Sequence, residues 1–235
     1  ARYSQHMEDK LLNKYFFNNT ANKVFVEIGA LDGLRYSNTF FFEHCWDWSG
    51  LLIEGNNLNY QQLERNARMR RPRSRILHSA VCEPPATTVR FIAAPGQSAG
   101  VETQMAKDFK NFWHWRNMTY VDVPCAPMSR LLQGMPHIDF WSLDVEGGEL
   151  VALSTVDWAA TQIDLIMVEL DSYNPPKDLK VRQLLAEQGY VECKWGVIPG
   201  SGVFLSRRSP YNCNLIGGEQ QCMCSYDDCN TCKQG

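Results

Sequence analysis

The sequence predicts an α/β fold: a doubly wound, mostly parallel β-sheet with an antiparallel last pair of strands, followed by a cysteine-rich tail. Three observations carry this reading. Short apolar runs of strand length alternate with longer segments of helical spacing. A glycine turn directly follows the first such run, in residues 24–33 (VFVEIGALDG). Acidic residues stand at the carboxyl ends of four runs, Glu27, Glu54, Asp144 with Glu146, and Glu169. Open parallel sheets bind their ligands at those ends.

The elements follow in order. Residues 7–17 form an amphipathic lead-in helix with Leu11, Leu12, Tyr15 and Phe16 on one face. Residues 24–28 are apolar and too few for a helix, so they read as a buried strand. Gly29 allows a sharp turn and close approach of a ligand. Ser37 and Asn38 offer a cap before a helix over 39–46. Residues 50–53 are a second strand, 57–69 a helix ended by Pro72, and 75–81 a third strand. A short β run covers 88–92, a loop 95–100, and an extended stretch 120–123. Residues 101–119 show no clear period. A short helix is expected at 128–132, strands at 138–143 and 163–168, and a helix at 178–188 closed by Gly189. Residues 190–195 and 202–205 form the final antiparallel pair.

Composition narrows the function. At 235 residues the chain is one domain of moderate size, divided here into a lead-in (1–22), a main domain (23–208) and a tail (209–235). That length buries a full core without obligatory disulfides. A net charge of −3 argues against non-specific nucleic-acid binding as the main task. The basic run 65–75 (RNARMRRPRSR) is read as a solvated helix face and turn. No apolar run reaches the length of a membrane span. The sequence starts at Ala1 without a leader pattern, so it is read as a trimmed portion from which a leader or anchor has been removed. Nine cysteines, with sequons at Asn18 and Asn117, point to the secretory lumen, Golgi or endoplasmic reticulum, or to secretion.

The carboxylates define the chemistry. Glu27-x-Gly29-x-x-x-Gly33 lacks the three-glycine spacing of a dinucleotide site, and Glu27 would repel a pyrophosphate. It suits a cationic or hydroxyl-bearing ligand. Glu54 ends the second strand about twenty residues beyond the turn, where an acid accepts hydrogen bonds from both ribose hydroxyls. The competing role for it is to cap the next helix. Asp144, Glu146 and Glu149 crowd one turn, so repulsion raises at least one pKa and favours a cation, a metal or a general base. Glu149 fits best as an acid in the first turn of a helix.

These motifs resemble the FkbM family of S-adenosylmethionine-dependent O-methyltransferases. The likeness rests on VFVEIGALDG, SNTFFFE (37–43), WSGLLIEGN (48–56), IDFWSLDVEGGEL (138–150) and IMVEL (166–170). It covers roughly residues 8–207 and leaves the tail outside. It implies the class I methyltransferase fold, a Rossmann-like seven-stranded sheet with the last two strands as an antiparallel hairpin. By the same likeness Glu27, Gly29, Ala30 and Gly33 surround the cofactor's methionine part, with Asp32, Ser37 and Asn38 in the same loop. Glu54 holds the ribose, Ser79 and Ala80 lie near the adenine, and Asp144 and Glu146 face methyl donor and acceptor. The second strand here runs into Gly55-Asn56-Asn57, where many relatives carry a proline.

Methyl transfer from a sulfonium is an in-line displacement, so alignment dominates and a base helps the hydroxyl lose its proton. Asp144 or Glu146 is the first choice of base. A divalent cation, Mg or Mn, bridging the two is a variant, and His114 and His78 are reserves. Trp113, Trp115 and Arg116 offer aromatic faces and a polar rim to a sugar acceptor, with Glu169 beside them; the competing role is a lid that packs on the sheet. A Cys82–Cys125 disulfide is expected. Cys222, Cys224, Cys229 and Cys232 of the tail either form disulfides, the favoured reading, or bind zinc. The expected function is O-methylation of a glycan hydroxyl, with no nucleic-acid partner. A lipid or secondary-metabolite acceptor and a non-catalytic binding protein are the alternatives.

Overall fold

The structure, a computed structural model, describes residues 4–93, 96–114, 119–170, 173–193 and 198–213. Trp115, Arg116, Asn117, Trp195 and the four last cysteines lie outside the described residues, as do the side chains of Trp113 and His114. The strands are β1 (Val24–Ile28), β2 (Ser49–Glu54), β3 (Ser74–His78), β4 (Ala80–Val81), β5 (Thr88–Ala93), β6 (Gly100–Val101), β7 (Thr119–Ala126), β8 (His137–Leu143), β9 (Gln162–Glu169), β10 (Tyr190–Glu192) and β11 (Ser201–Ser206). The helices are α1 (Glu8–Leu12), continued by a π-helical segment Asn13–Phe17, then α2 (Phe40–Trp46), α3 (Asn57–Arg70), α4 (Lys107–His114), α5 (Met128–Leu131), α6 (Glu149–Ser154) and α7 (Pro175–Glu187).

Seven strands form one sheet in the order β10-β11-β9-β8-β1-β2-β3. Pairs within β3-β2-β1-β8-β9 are parallel, and β11 runs antiparallel to both β9 and β10. This is the methyltransferase-like α/β sheet with its closing hairpin. Strand alternation splits the core in two. Phe25, Leu52, Phe140 and Leu165 face one apolar layer, where the lead-in adds Leu12, Phe16 and Phe17. Val26, Ile53, Trp141 and Ile166 face the other, under α5, α6 and α7. Both faces are therefore covered, as parallel sheets require.

Register decides what meets at the carboxyl edge. Ile28 pairs with Ile53 on one side and Leu143 on the other, and Leu143 pairs with Val168. The next residues along the four strands, Gly29, Glu54, Asp144 and Glu169, thus leave the sheet side by side.

Four local expectations are corrected. The run 75–81 is not one strand: it breaks at Ser79, whose N–H donates to the Glu54 carbonyl at 3.1 Å. Beyond it β4 joins a second sheet of order β4-β7-β5-β6. The stretch 101–119 contains α4, and β6 spans its first residue and the last of the expected loop. The basic run is not wholly solvated, because Arg71 is fully buried while Arg65, Arg68, Arg70, Arg73 and Arg75 are exposed. Helix α7 also begins three residues before its expected start. Asn174 caps it by accepting from the Lys177 N–H, and proline occupies its first position.

Disulfides join Cys82 to Cys125, the pair expected from the sequence, and Cys193 to Cys213; Cys45 is disulfide-bonded as well. Tyr211 packs edge-on against Phe17 at 5.2 Å, so residues up to Cys213 are fastened to the main core. No helix among the described residues is long and apolar enough to cross a membrane.

Candidate active site

The loop after β1 is held by buried polar bonds. Glu27 accepts from Ser37 Oγ at 2.8 Å, the Asn38 N–H at 2.7 Å and Thr39 Oγ1 at 2.6 Å. Burial raises its pKa, and the Arg71 charge opposes that rise. Arg71 donates from Nε to Glu43 at 2.6 Å and from Nη1 to the Gly33 carbonyl at 2.6 Å. It also reaches Ser37 Oγ at 3.1 Å and Thr39 Oγ1 at 2.8 Å. One guanidinium therefore ties the Gly33 end of the glycine loop, Ser37 and Thr39 to α2. Gly29, at φ +80°, could carry no side chain: a Cβ would lie 1.8 Å from the Asp144 carbonyl oxygen.

Above this loop lies a cavity with about 820 Å³ of empty space, part of it open to solvent. Its walls include Glu27, Gly29, Asn38, Glu54, Ser79, Ala80, Asp144 and Glu146, all expected from the sequence. Ala30, Asp32, Gly33 and Ser37 stand behind the wall. Asp32 caps the turn by accepting from the Leu34 and Arg35 N–H groups, at 2.9 and 2.7 Å. The cavity is graded. Glu27, Asn38, Ser142 and Asp144 make one end polar, and Ala80, Val81, Phe91 and Val101 make the other apolar. Glu54 is buried and accepts from the Leu31 N–H at 2.8 Å and the Asn56 N–H at 2.6 Å. Burial, reinforced by the Asp144 charge, pushes its carboxyl up to about 7.

Asn38 donates through Nδ2 to Ser142 Oγ at 3.0 Å, while its Oδ1 is buried with no hydrogen-bond partner among the described residues. Asn38 and Asp144 also line a second cavity, of about 590 Å³, with Glu169 on its wall. Carboxylate oxygens of Asp144, Glu146 and Glu169 lie within 4.8 Å of one another. Burial, the charges of Asp144, Glu146 and Glu149, and a hydrogen bond with Asp144 hold the Glu169 carboxyl well above the usual carboxylate range. The proton of that hydrogen bond is therefore favoured on Glu169.

Glu149 lies outside this cluster. It is buried and accepts from the Gly147 N–H at 3.0 Å and Lys177 Nζ at 2.5 Å, which fixes the turn carrying Glu146. His78 stacks on Tyr60 at 4.6 Å and bonds the Gly55 carbonyl through Nε2 at 3.1 Å; it lines neither cavity. Thr39, Arg71 and Ser142 were not singled out in the sequence. Thr39 follows the capping pair directly, so its place in SNTFFFE is the signal that could have found it. Nothing local distinguishes Arg71 from its basic neighbours.

A seven-stranded sheet with this hairpin, and a cavity at its carboxyl edge, is the class I methyltransferase-like arrangement. The FkbM methyltransferase domain matches residues 27–192, and the chain belongs to that family. Among solved structures it is similar to methyltransferase FkbM from Methylobacillus flagellatus KT, at 15% identity and TM-score 0.48, covering 78% of this chain and 43% of that one. It is similar to precorrin-6y C5,15-methyltransferase from Geobacter metallireducens GS-15, at 10% and 0.41, covering 79% of each chain. A methyltransferase from Pyrococcus furiosus, at 14% and 0.41, covers 83% of this chain with 78% of its own. The chain therefore spans less than half the length of the Methylobacillus protein. No curated protein sequence matches it.

Proposed function

We propose that this chain is an S-adenosylmethionine-dependent O-methyltransferase that acts on a hydroxyl group of a glycan in the secretory pathway. The observation that carries the cofactor reading is the graded cavity centred on Glu54. Its polar end, with the unpartnered Asn38 Oδ1, suits an ammonium and carboxylate. Glu54 suits the ribose hydroxyls, since an ionised carboxylate keeps acceptor capacity beyond that taken by Leu31, Asn56 and the Asn59 side chain. The apolar end beside Ala80 and Phe91 suits a flat base. Gly29 supports the fit too, because any side chain there would obstruct the Asp144 strand end.

When bound, the cofactor supplies an electrophilic methyl group on sulfur. The residues of the chain orient the acceptor and take its proton. Asp144 lines both cavities, so it stands where donor and acceptor meet. The hydrogen bond with Glu169, whose carboxyl burial holds high, orients Asp144 as the base. As the acceptor oxygen gains the methyl group, its proton passes to the Asp144 carboxylate. Glu146, from the adjoining turn, adds negative charge that favours this transfer.

Three features support the lumenal address and the glycan acceptor. The described disulfides are of the kind that form in oxidising compartments. Asn18 of the first sequon is exposed. The second cavity is polar enough for a polyol. A divalent cation held by Asp144, Glu146 and Glu169 is a second reading, favoured by the 4.8 Å convergence of their oxygens. The test is turnover on a panel of hydroxyl acceptors, with and without Mg²⁺ or Mn²⁺. Asp144→Asn should retain cofactor binding and lose turnover, and full activity of that variant would refute the assignment.

A further inference from the structure

The second cavity draws part of its wall from stretches of the chain that the family match does not cover. The cavity beside Glu54 is built almost wholly within residues 27–192, with Gln5 the exception. The second is closed by Gln5, His6 and Glu8 on one side and by Pro199, Gly200 and Ser201 on another. The segment 4–8 is no loose leader. Ser4, buried, donates from Oγ to Asp9 Oδ1 at 2.6 Å, and the His6 N–H donates to Glu8 Oε2 at 2.7 Å. Met7 turns the chain at φ 64°, in the left-handed region. Leu12, Phe16 and Phe17 just beyond are buried in the core. A strap so fixed holds the exposed Gln5 and His6 at the mouth of the cavity.

The charge of the cavity is one-sided. Three acidic side chains line it, Glu8 and the hydrogen-bonded pair Asp144 and Glu169, which shares a proton; His6 is the one basic side chain on its wall, and among the described residues no lysine or arginine lines it. An anionic acceptor would meet like charge without a compensating lysine or arginine. A neutral polyol finds acceptors for its hydroxyls, and an amino sugar finds charge of opposite sign.

We propose that residues 4–8 are the acceptor-recognition element of this enzyme, and that with Asp144 and Glu169 they select an uncharged or amino-bearing sugar over an anionic one. The inference rests on the reading that the first cavity holds the methyl donor. Gln5, which lines both cavities, joins acceptor binding to the donor site. His6 touches the acceptor side alone.

The test uses the full chain and saturation-transfer NMR with methyl β-galactopyranoside, methyl β-galactosaminide and methyl β-galacturonide, each with and without S-adenosylhomocysteine. Calorimetry with S-adenosylhomocysteine is run on the same samples. The neutral and amino glycosides should bind, and the galacturonide at least about tenfold more weakly. His6→Ala should weaken the neutral glycoside at least about threefold and leave S-adenosylhomocysteine affinity within about twofold, as loss of a single rim contact predicts. Equal or tighter galacturonide binding overturns the proposal, as does indifference to His6→Ala or failure of all three glycosides to bind. Failure of S-adenosylhomocysteine itself to bind refutes the cofactor reading instead, and glycoside selectivity is still read on the free protein.

Discussion

Arg71 and Glu43 form an ion pair at 2.6 Å with side chains 0% and 3% exposed. The same guanidinium holds the Gly33 carbonyl, Ser37 and Thr39. Removing the cation leaves Glu43 buried without its charge partner and strips Glu27 of the charge that opposes its burial. Arg71→Ala should therefore cost about 3–5 kcal/mol of unfolding free energy in urea titration. Arg71→Lys should recover little, because an ammonium cannot serve four partners with the geometry of a guanidinium. A loss below about 1 kcal/mol in the alanine variant would show that the glycine loop is held by something else.

Gly29 and Gly134 separate crowding from backbone strain. Both have positive φ, +80° and +82°, but a Cβ at Gly29 would meet the Asp144 carbonyl oxygen at 1.8 Å, and one at Gly134 meets nothing within 4 Å. Gly134→Ala should cost about 1 kcal/mol, from the left-handed backbone alone. Gly29→Ala should cost clearly more and displace the Asp144 strand end, with loss of cofactor binding. Equal melting temperatures for the two variants would contradict the close approach.

The pH dependence follows from Glu54, whose carboxyl is raised from 4.5 to about 7 by burial. A raised carboxyl pKa makes the folded protein the better proton binder. Its contribution to stability is full below about 4.5 and is lost as pH rises through about 7. Asp9, also raised to about 7 by burial, acts in the same direction. Cofactor binding has the opposite sign, because the ribose hydroxyls need the ionised acceptor. Affinity for S-adenosylhomocysteine should rise as pH increases through 7 and flatten above it. Glu54→Gln should bind weakly at every pH, with that step absent. An unchanged step in the variant would assign the titration to another group.

The Cys82–Cys125 disulfide spans 43 residues and ties β4 to the end of β7 beside the apolar end of the cavity. Its replacement by two serines should lower unfolding free energy by about 2–5 kcal/mol. The urea midpoint checks this, and a midpoint within error of the wild type would remove the bridge from the account of stability.

The parts of this fold legible in the sequence are those where one physical signal dominates. Val24–Ile28, Ser49–Glu54, His137–Leu143 and Gln162–Glu169 are nearly continuous apolar runs with an acid at, or one residue from, the carboxyl end. The parallel register then brings those acids together. Less legible were elements where two signals compete. The aromatic and polar residues after Val101 fit a lid as well as a helix, although Phe109 and Phe112 stand three residues apart, a helical spacing that could have indicated α4. The run through His78, Ser79 and Ala80 has one propensity but serves two sheets, and only the Ser79–Glu54 backbone bond marks the break. Arg71 was hidden by its neighbours, since a buried arginine depends on Glu43, Gly33 and Thr39 arriving from elsewhere. The strap 4–8 was hidden in the same way: its role at the cavities comes from where α1 docks, not from its own composition.

The most direct test of the central claim is calorimetric titration of the wild-type chain and Glu54→Ala with S-adenosylhomocysteine at pH 8. The account predicts micromolar binding to the wild type. It predicts affinity at least about 100-fold weaker in the variant, the loss of two hydrogen bonds to a charged acceptor. No binding to the wild type, or equal binding to both proteins, would contradict it.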